Sequence, residues 1–555
     1  MGQVTGAYIT AKALQHLGVD TIFYIIGGPI TPVVEDANAL GIKMIDVRHE
    51  ETAANAAHAY SRLRNKPGVL ITPSGPATIN ALPGVVNAMS DVSPVIHLGG
   101  STALNQRGTG AFQEMDQVPL FVSATKMTTQ AIHPERIPEQ LSNLFRRSMS
   151  GVKGPVYFDL PADVISSQVE EDDVVYPTDS YFEPRSPGNP EDIKKAIALL
   201  KTAKKPLVVT GSGVIWSEAS KELREFIDAT GIPIQTTPQG RGVVPEDHEL
   251  CFPAAKSMAF RDADVVLIVG TRSNFILGMF RPPRWNADAK FITANLDADE
   301  VHRNRHSEVG IIGDAKMVLQ QLTEEARGEK LNFAKDSEWT QALAAKHATN
   351  EERNEAFWNL DVTPIHPMRL MKEVREILDR DGVLVVDGHD TLNFGRQSLP
   401  THEPGHRLNA GTHGTMGISI PFGMGAKAAK PDKQVVVVCG DGSFGWLGMS
   451  FDSYVRNDLP ILVVINNNGG MTAAPKDSTR IKGHALGWSD YQMVAQAFGG
   501  YGERVENPED LAPALQRGLA AVKNGQPALI NVITDKNARS STYKGFFGEA
   551  GEYSG

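Results

Sequence analysis

The sequence predicts an α/β protein of three domains with parallel sheets flanked by helices. Segments with helical apolar spacing alternate with short apolar runs along the whole chain, as they do where helices cross over between parallel strands. Several of those runs are apolar at every position, the pattern of strands covered on both faces. The third observation is size: 555 residues exceed what one core holds and divide into about three domains of roughly 150 to 200 residues.

The first domain, residues 1–165, opens on the helical stretch ITAKALQHLG. It continues through the short run KMIDV, the alanine-rich DVRHEETAANAAHAYSR, and strand candidates in PGVLITPSG and SPVIHLGGS. The following SSQVEEDDVVYPTDSYFEPRSPGNP is acidic, carries prolines and has no sustained period, so it reads as a linker. In the middle domain, residues 190–345, EDIKKAIALLKTAKKPLVVTGSG and DADVVLIVGTRSN pair helices with strands, and the helical MVLQQLTEEARG comes near the end. A polar, helix-prone connection containing KHATNEERNEAFWN leads to the third domain, residues 366–537, with strands in GVLVVDG, KQVVVVCGDG and LPILVVINNNGG. The glycine-rich tail 538–555 has the composition of a frayed chain end. No short tandem repeat is present.

Composition narrows the function. With 41% hydrophobic and 21% charged residues the chain is neither disordered nor fibrous. Its 54 Lys and Arg against 65 Asp and Glu leave a formal charge of −11, which argues against nucleic acid as a partner and for a small molecule. No apolar run reaches the roughly 18 to 20 residues of a membrane span, and the start lacks a basic segment followed by an apolar one. A cytoplasmic protein without membrane contact is expected. The two cysteines, Cys251 and Cys439, form no metal-ligand or redox motif and fit a reducing compartment.

The most informative segment is GDGSFGWLGMSFDSYVRNDLPILVVINNNGG, residues 440–470. It places an Asp-Gly-Ser turn after one apolar strand and an Asn-rich turn after the next. Adjacent strand ends would offer Asp441 and Asn468 to one hard cation, with backbone amides around Gly442 and Ser443 turned to a phosphate. Mg²⁺ suits such oxygen ligands. Gly, Asp and Asn are equally the residues of ordinary strand-to-helix turns, so GDG alone decides nothing. Near the other end of the chain, His49-Glu50-Glu51 follows KMIDV and opens the alanine-rich helix, where acids favour the helix dipole.

Together these segments resemble the signature of thiamine diphosphate enzymes, in which an Asn pair follows GDG at the spacing that separates Asp441 from Asn468. The resemblance implies a pyruvate decarboxylase-like architecture: a pyrimidine-binding first domain, a diphosphate- and metal-binding third domain, and thiamine diphosphate with Mg²⁺ as cofactors. It makes Asp441 and Asn468 side-chain ligands of the metal, Gly470 a carbonyl ligand and Asn467 their neighbour, with Gly442 and Ser443 at the diphosphate. The RHE segment is similar to the family element in which Glu50, not Glu51, touches the pyrimidine ring nitrogen and lets the ring's amino group lose a proton. PSGPATIN, residues 73–80, resembles the family's SGPG loop and adds Pro76 and Asn80, although Ala77 replaces a glycine. GTHGTMG, residues 411–417, resembles the element whose Gly414 carbonyl accepts from the pyrimidine amino group and whose Met416 props the cofactor bent. Without the resemblance, Met416 would read as a flexible core residue.

Four further segments look like their counterparts in 2-hydroxyacyl-CoA lyases, and the related oxalyl-CoA decarboxylases share much of this framework. They are GAFQEMDQ (110–117), TPQGRGVVPEDH (237–248), FRPPRWNADAKFITANLDADE (280–300) and HRLNAGTHGTMG (406–417). The resemblance runs over nearly the whole chain. It implies reversible cleavage of the C1–C2 bond of a 2-hydroxyacyl-CoA to formyl-CoA and an aldehyde or ketone, with oxalyl-CoA decarboxylation or an acetolactate synthase-like carboligation as alternatives. A non-catalytic cofactor-binding protein is the other class, against which the intact Glu50, Asp441 and Asn468 argue. Phe112 and Gln113 then belong at the substrate, Arg396 and Arg407 at the CoA phosphates, and Arg272 with Asp297 at CoA or ADP in the middle domain. A site shared between chains implies at least a homodimer, with a homotetramer expected, and the tail 538–555 is expected to act as a lid. One departure stands out: Asp387-Gly388-His389-Asp390 replaces the EGAN of relatives, which puts Gly388 and His389 at the cofactor and makes His389 a candidate proton carrier.

Overall fold

The computed structural model describes residues 2–177, 184–471 and 482–540, and within them the apolar runs become three parallel sheets. In the first sheet the strands lie in the order Lys43–Asp46, Thr21–Tyr24, Gly68–Thr72, Val95–Ser101, Val156–Pro161, Thr128–Gln130. The third sheet repeats this winding with Arg407–Leu408, Val383–Asp387, Val435–Gly440, Leu462–Asn467, Ala528–Ile533 and Tyr501–Val505. The middle sheet runs Ile234–Thr236, Pro206–Thr210, Val265–Val269, Lys290–Asn295, Val309–Ile312. In all three the first strand in sequence lies beside the third, and the chain winds outward to either side. That leaves a crevice beyond the carboxyl ends of these two strands, where open α/β sheets bind ligands. In the third domain the crevice opens at Asp387 and Gly440.

One helix joins the first and third domains. His49 caps the helix Glu50–Arg64, its Nδ1 accepting the Glu51 amide at 3.2 Å, and Asn65 ends it in the left-handed region. The alanines at 53, 54, 56, 57 and 59 are all buried, so this helix has no solvent stripe. It packs against the helix Ser419–Ala429, and the two contribute to one core with Leu70, Val85, Val437 and Phe451. Polar pairs flank the contact: Thr52 and Ser450 share a hydrogen bond of 2.8 Å, Arg48 pairs with Asp452, and Arg456 pairs with Asp46 and Asp452.

One connection differs from the sequence reading, and another keeps its helical character but not its boundary. The start of the expected linker is a strand, Gln168–Glu170, paired antiparallel with Gln3–Thr5. Glu171 and Tyr176 beyond it engage Lys12 and His16, so charge and proline content hid a strip that the first domain anchors. The middle-to-third connection is one helix, Glu338–Trp358, that runs through residue 345 because no Gly or Pro breaks it. The described residues contain no helix long and apolar enough to cross a membrane.

Gly425 tests the helix contact. In an ordinary helix Gly→Ala stabilises by up to about 1 kcal/mol, but a Cβ at 425 would overlap the Ala56 carbonyl of the facing helix. We expect Gly425→Ala to lower stability by about 1–3 kcal/mol, read as a lower melting temperature. A melting temperature equal to or above that of the parent would mean that the two helices part freely.

Candidate active site

The crevice of the third domain is organised by Asp387, the last residue of the strand Val383–Asp387. Its Oδ1 accepts the Gly388 amide at 2.7 Å and its Oδ2 the Ser419 amide at 3.0 Å. Burial pushes its carboxyl up to about 6, against the pull of the Ser419, Gly388 and Gly417 amides. Gly388 has φ +97°, and a Cβ there would stand 3.1 Å from Ser443 Oγ and 3.3 Å from the Gly440 nitrogen. The turn therefore passes close under the neighbouring loop, as only glycine permits. The Ser443 hydroxyl sits beside Asp387 but makes no full hydrogen bond among the described residues. Helices His389–Ser398 and Asp441–Leu447 start at these adjoining strand ends, which turns free backbone amides toward one spot suited to a phosphate.

Asp441 is 2% exposed, and burial pushes its carboxyl up to about 6 against the amides of Gly442, Gly469 and Gly470. Its buried Oδ2 finds no hydrogen-bond partner among the described residues. Facing it is the turn that ends the strand Leu462–Asn467, where Gly469 has φ +72°. Asn467 secures this turn by donating to Asn531 Oδ1 at 3.0 Å and accepting the Gly469 amide at 3.2 Å. Asn468, 8% exposed, accepts the Gly470 amide at 3.2 Å. One carboxylate with a free buried oxygen, one amide oxygen and a peptide carbonyl make a hard-oxygen set that suits Mg²⁺. Among the described residues no cluster of three or more His, Cys, Asp or Glu offers a rival metal site. A Cβ at Gly442 would stand 2.9 Å from Met471 Sδ and 3.9 Å from Met416 Cε, so two methionines close over the turn. His389 Nδ1 lies 3.3 Å from Oδ1 of Asp390, whose carboxylate is buried.

In the first domain, Glu50 is the first residue of its helix, 8% exposed, and accepts Asn80 Nδ2 at 3.1 Å. Asn80 closes the short helix Pro76–Asn80, which follows Gly75 with φ +62°. Gln113 joins this loop, its Oε1 accepting the Ser74 hydroxyl at 2.8 Å. Glu114 accepts the amides of Gly108, Gly110 and Ala111, which hold its carboxyl below the usual range. Phe112 is 86% exposed. Sequence reasoning missed Gln117, a buried amide that accepts the Gly75 N–H at 2.6 Å and donates to Asp159 Oδ1 at 2.8 Å.

The middle-domain crevice is an open pocket lined by Ser212, Thr271, Arg272, Asp297 and Asp314, with Lys153 from the first domain. Arg272 and Asp297 thus share one cavity, while Arg272 Nη2 donates to the Ser90 carbonyl at 2.7 Å and Asp297 caps the turn at Asp299. Arg396 and Arg407 lie elsewhere, between the middle and third domains. Burial presses Arg396 down to about 10, with Arg241 and Arg284 adding to it. Burial presses Lys256 down to about 7, with Arg284, Arg396 and Arg241 adding to it. Arg407 departs from expectation: it is 2% exposed on an edge strand, and its Nη1 donates to the Leu399 carbonyl at 2.9 Å. It is built into the interface, not set on a rim. Arg241 and Arg284 lie in segments quoted for their resemblance but had no role there, and Lys256 lay outside them, since only folding gathers the three.

Three family models match consecutive parts of the chain: the N-terminal TPP binding domain of thiamine pyrophosphate enzymes at residues 4–120, their central domain at 193–322 and their C-terminal TPP binding domain at 391–532. Among curated proteins, a 2-hydroxyacyl-CoA lyase of Arabidopsis thaliana is 35% identical, covering 96% of both chains. The 2-hydroxyacyl-CoA lyase 1 of Homo sapiens is 34% identical over 97% of this chain and 95% of its own. An oxalyl-CoA decarboxylase of Escherichia coli (strain K12) is 32% identical over 96% of this chain and 95% of its own.

The strain at Asp441 has a measurable sign. Burial pushes its carboxyl up to about 6 in the fold against about 3.9 in an unfolded chain, so the metal-free fold favours the protonated form. The resulting penalty is absent below about pH 4, grows as pH rises toward 6 and is complete above it. We expect Asp441→Asn to stabilise the metal-free protein by about 1–3 kcal/mol at pH 7.5 and by little at pH 4, while weakening retention of Mg²⁺. Equal melting temperatures for variant and parent at pH 7.5 would remove the uncompensated charge from the argument.

Proposed function

The chain belongs to the thiamine pyrophosphate enzymes, in the group that includes 2-hydroxyacyl-CoA lyases and oxalyl-CoA decarboxylases, and from that premise we propose that it reversibly cleaves a 2-hydroxyacyl-CoA. The products are formyl-CoA and an aldehyde or ketone. The observation that carries the cofactor reading is the free buried Oδ2 of Asp441 beside the Asn468 turn and the Gly388 cradle. Thiamine diphosphate, when bound, supplies a nucleophilic carbon and an electron sink for the carbonyl carbon next to the scissile bond.

The chain's own residues have distinct tasks. Asp441, Asn468 and the Gly470 carbonyl would hold Mg²⁺, and the amides at Gly442, Ser443 and His389 would receive the diphosphate above Gly388. Glu50, steadied by Asn80, would share a proton with the pyrimidine ring nitrogen near Pro76, while the Gly414 carbonyl accepts from the amino group and Met416 fills the bend. Gln113, with its oxygen engaged by Ser74, has its NH₂ left to orient the substrate's hydroxyl or the departing carbonyl. His389 beside Asp390 is our candidate to take the hydroxyl proton. The C1–C2 bond then breaks, the hydroxyl oxygen becomes the product carbonyl, and C1 gains a proton and leaves as formyl-CoA.

Phe112 favours an apolar substituent beside that bond over a second carboxylate. Arg396, together with Lys256 and Arg284, would meet the CoA phosphates; Arg407 would support them from behind. The middle pocket would take the adenine nucleotide of CoA, or ADP, against Arg272 and Asp297. Exposed Phe112, Ile26 and Val122 in the first domain and Trp446 and Met449 in the third favour burial against a second copy, in a homodimer or a homotetramer of cytoplasmic residence. The lid expected at 538–555 falls, from residue 541 on, outside the described residues.

Glu50→Gln keeps shape and removes the titrating carboxyl, so turnover should fall by at least about a hundredfold with thiamine diphosphate affinity nearly unchanged. Near-parental turnover would refute the role. Oxalyl-CoA decarboxylation is the second reading, supported by the 32% identical relative. With Mg²⁺ and thiamine diphosphate present, formyl-CoA should be released from short 2-hydroxyacyl-CoAs faster than CO₂ from oxalyl-CoA. The opposite ranking would make the decarboxylase reading correct.

A further inference from the structure

The loop 409–417 that would hold the pyrimidine has little rigidity of its own, since Gly411, Gly414 and Gly417 all have positive φ. One end is pinned within the third domain by Asp387, which draws in the Gly417 and Ser419 amides. The other end reaches a junction of all three domains centred on Asp91, which caps the helix Leu82–Ser90. Asp91 is 3% exposed. Its Oδ2 pairs with Arg62 Nη1 at 3.1 Å and lies 3.3 Å from His58 Nε2, and its Oδ1 accepts Gln239 Nε2 at 2.9 Å. Arg62 also donates to Gln239 Oε1 and, at 3.4 Å, to the Asn409 carbonyl. A Cβ at Gly411 would overlap Asp91 Oδ1, so the loop lies directly on the carboxylate. Next to it, the Ser90 carbonyl accepts the Thr412 hydroxyl at 3.1 Å and Ser90 Oγ lies 3.3 Å from His413 Nδ1.

We infer that Asp91 is a positioning residue, which through Arg62, Gln239 and direct contact with Gly411 sets the height of the loop 409–417 and hence of the Gly414 carbonyl. The inference rests on the reading that this loop carries the pyrimidine contacts. The charges are matched for permanence. Although burial opposes it, Arg62 and then His58 hold the Asp91 carboxyl below its usual range, so the anchor stays ionised at working pH.

The test compares the parent, Asp91→Asn, Gly411→Ala and the double variant as full chains. Without cofactor, hydrogen exchange of the amides at 410–415 should rise by roughly tenfold in each single variant, because an anchored loop opens only when its junction does. With thiamine diphosphate and Mg²⁺, kcat should fall at least about tenfold for a displaced carbonyl, with the KM for acyl-CoA held within about twofold. Since both substitutions break one contact, the double variant should lose little more than the worse single one. Should Asp91→Asn not fold, Gly411→Ala alone decides through its exchange and kcat. Parental exchange and kcat in the single variants, or fully additive losses in the double, overturn the inference. Failure of the parent to bind thiamine diphosphate would instead sink the functional reading, and the exchange comparison would still judge the junction.

Discussion

The close contact between helices Glu50–Arg64 and Ser419–Ala429 governs the geometry of everything functional in this chain. Each helix begins at a proposed cofactor contact, the first at Glu50 itself and the second just beyond the loop 409–417. The helices meet where Gly425 lies against Ala56, six residues into each. At 1.5 Å per residue both starting points stand about 9 Å from that contact. At the closest approach alanine meets glycine, with His58 packed edge-on against Phe422 beside it, and tightly packed interiors transmit displacement instead of absorbing it. A shift of one helix against the other would therefore move the carboxylate relative to the loop almost one for one.

Against this rigid frame the crevice carries groups that water or a partner would otherwise satisfy. Asp387 and Asp441 are both driven to about 6 by burial, yet they differ in kind. Both oxygens of Asp387 accept backbone amides, so its charge holds the Gly388 turn and the start of the helix Ser419–Ala429. One oxygen of Asp441 accepts nothing, and a buried group left so costs about 1–3 kcal/mol. The shared shift thus conceals a structural carboxylate and one suited to a cation. The valine-rich strands on which both stand, buried at every position from Val435 to Cys439, offset that cost by the burial of their apolar surface.

Much of the fold was legible because two-sided burial writes itself as unbroken apolar runs, as in Val383–Asp387 and Val435–Gly440. Edge strands such as Arg407–Leu408 and Thr128–Gln130 were not, since two or three residues carry no period. That the turn at Asn468 comes to face Asp441 was legible because the spacing between them is local, one strand–helix–strand unit. Asp91, Gln239 and Lys256 were not, because their roles exist only where separate domains converge, and no window of sequence contains both partners. Glu114 carried no expectation of its own, and the fold uses it to close its loop; Arg407, expected at the CoA phosphates, is buried and donates to the Leu399 carbonyl.

That use of Glu114 bears on substrate choice. With its carboxylate occupied by three amides, Glu114 leaves Phe112 and Gln113 as the side chains proposed to meet a ligand. Arg107, the cation of the same stretch, is paired with Asp159 at 3.3 Å. A substrate bearing a second carboxylate would bring its charge to a surface with an aromatic ring, one amide and no free cation. It would lose hydration without gaining an ion pair, which is costly for a charge and trivial for a carbon substituent. An uncharged carbonyl product suits the same surface, since the Gln113 NH₂ can donate to its oxygen. The 2-hydroxyacyl substrate that we propose over an oxalyl one is thus favoured by how this loop satisfies its own acid, and not by the crevice that both reactions would share.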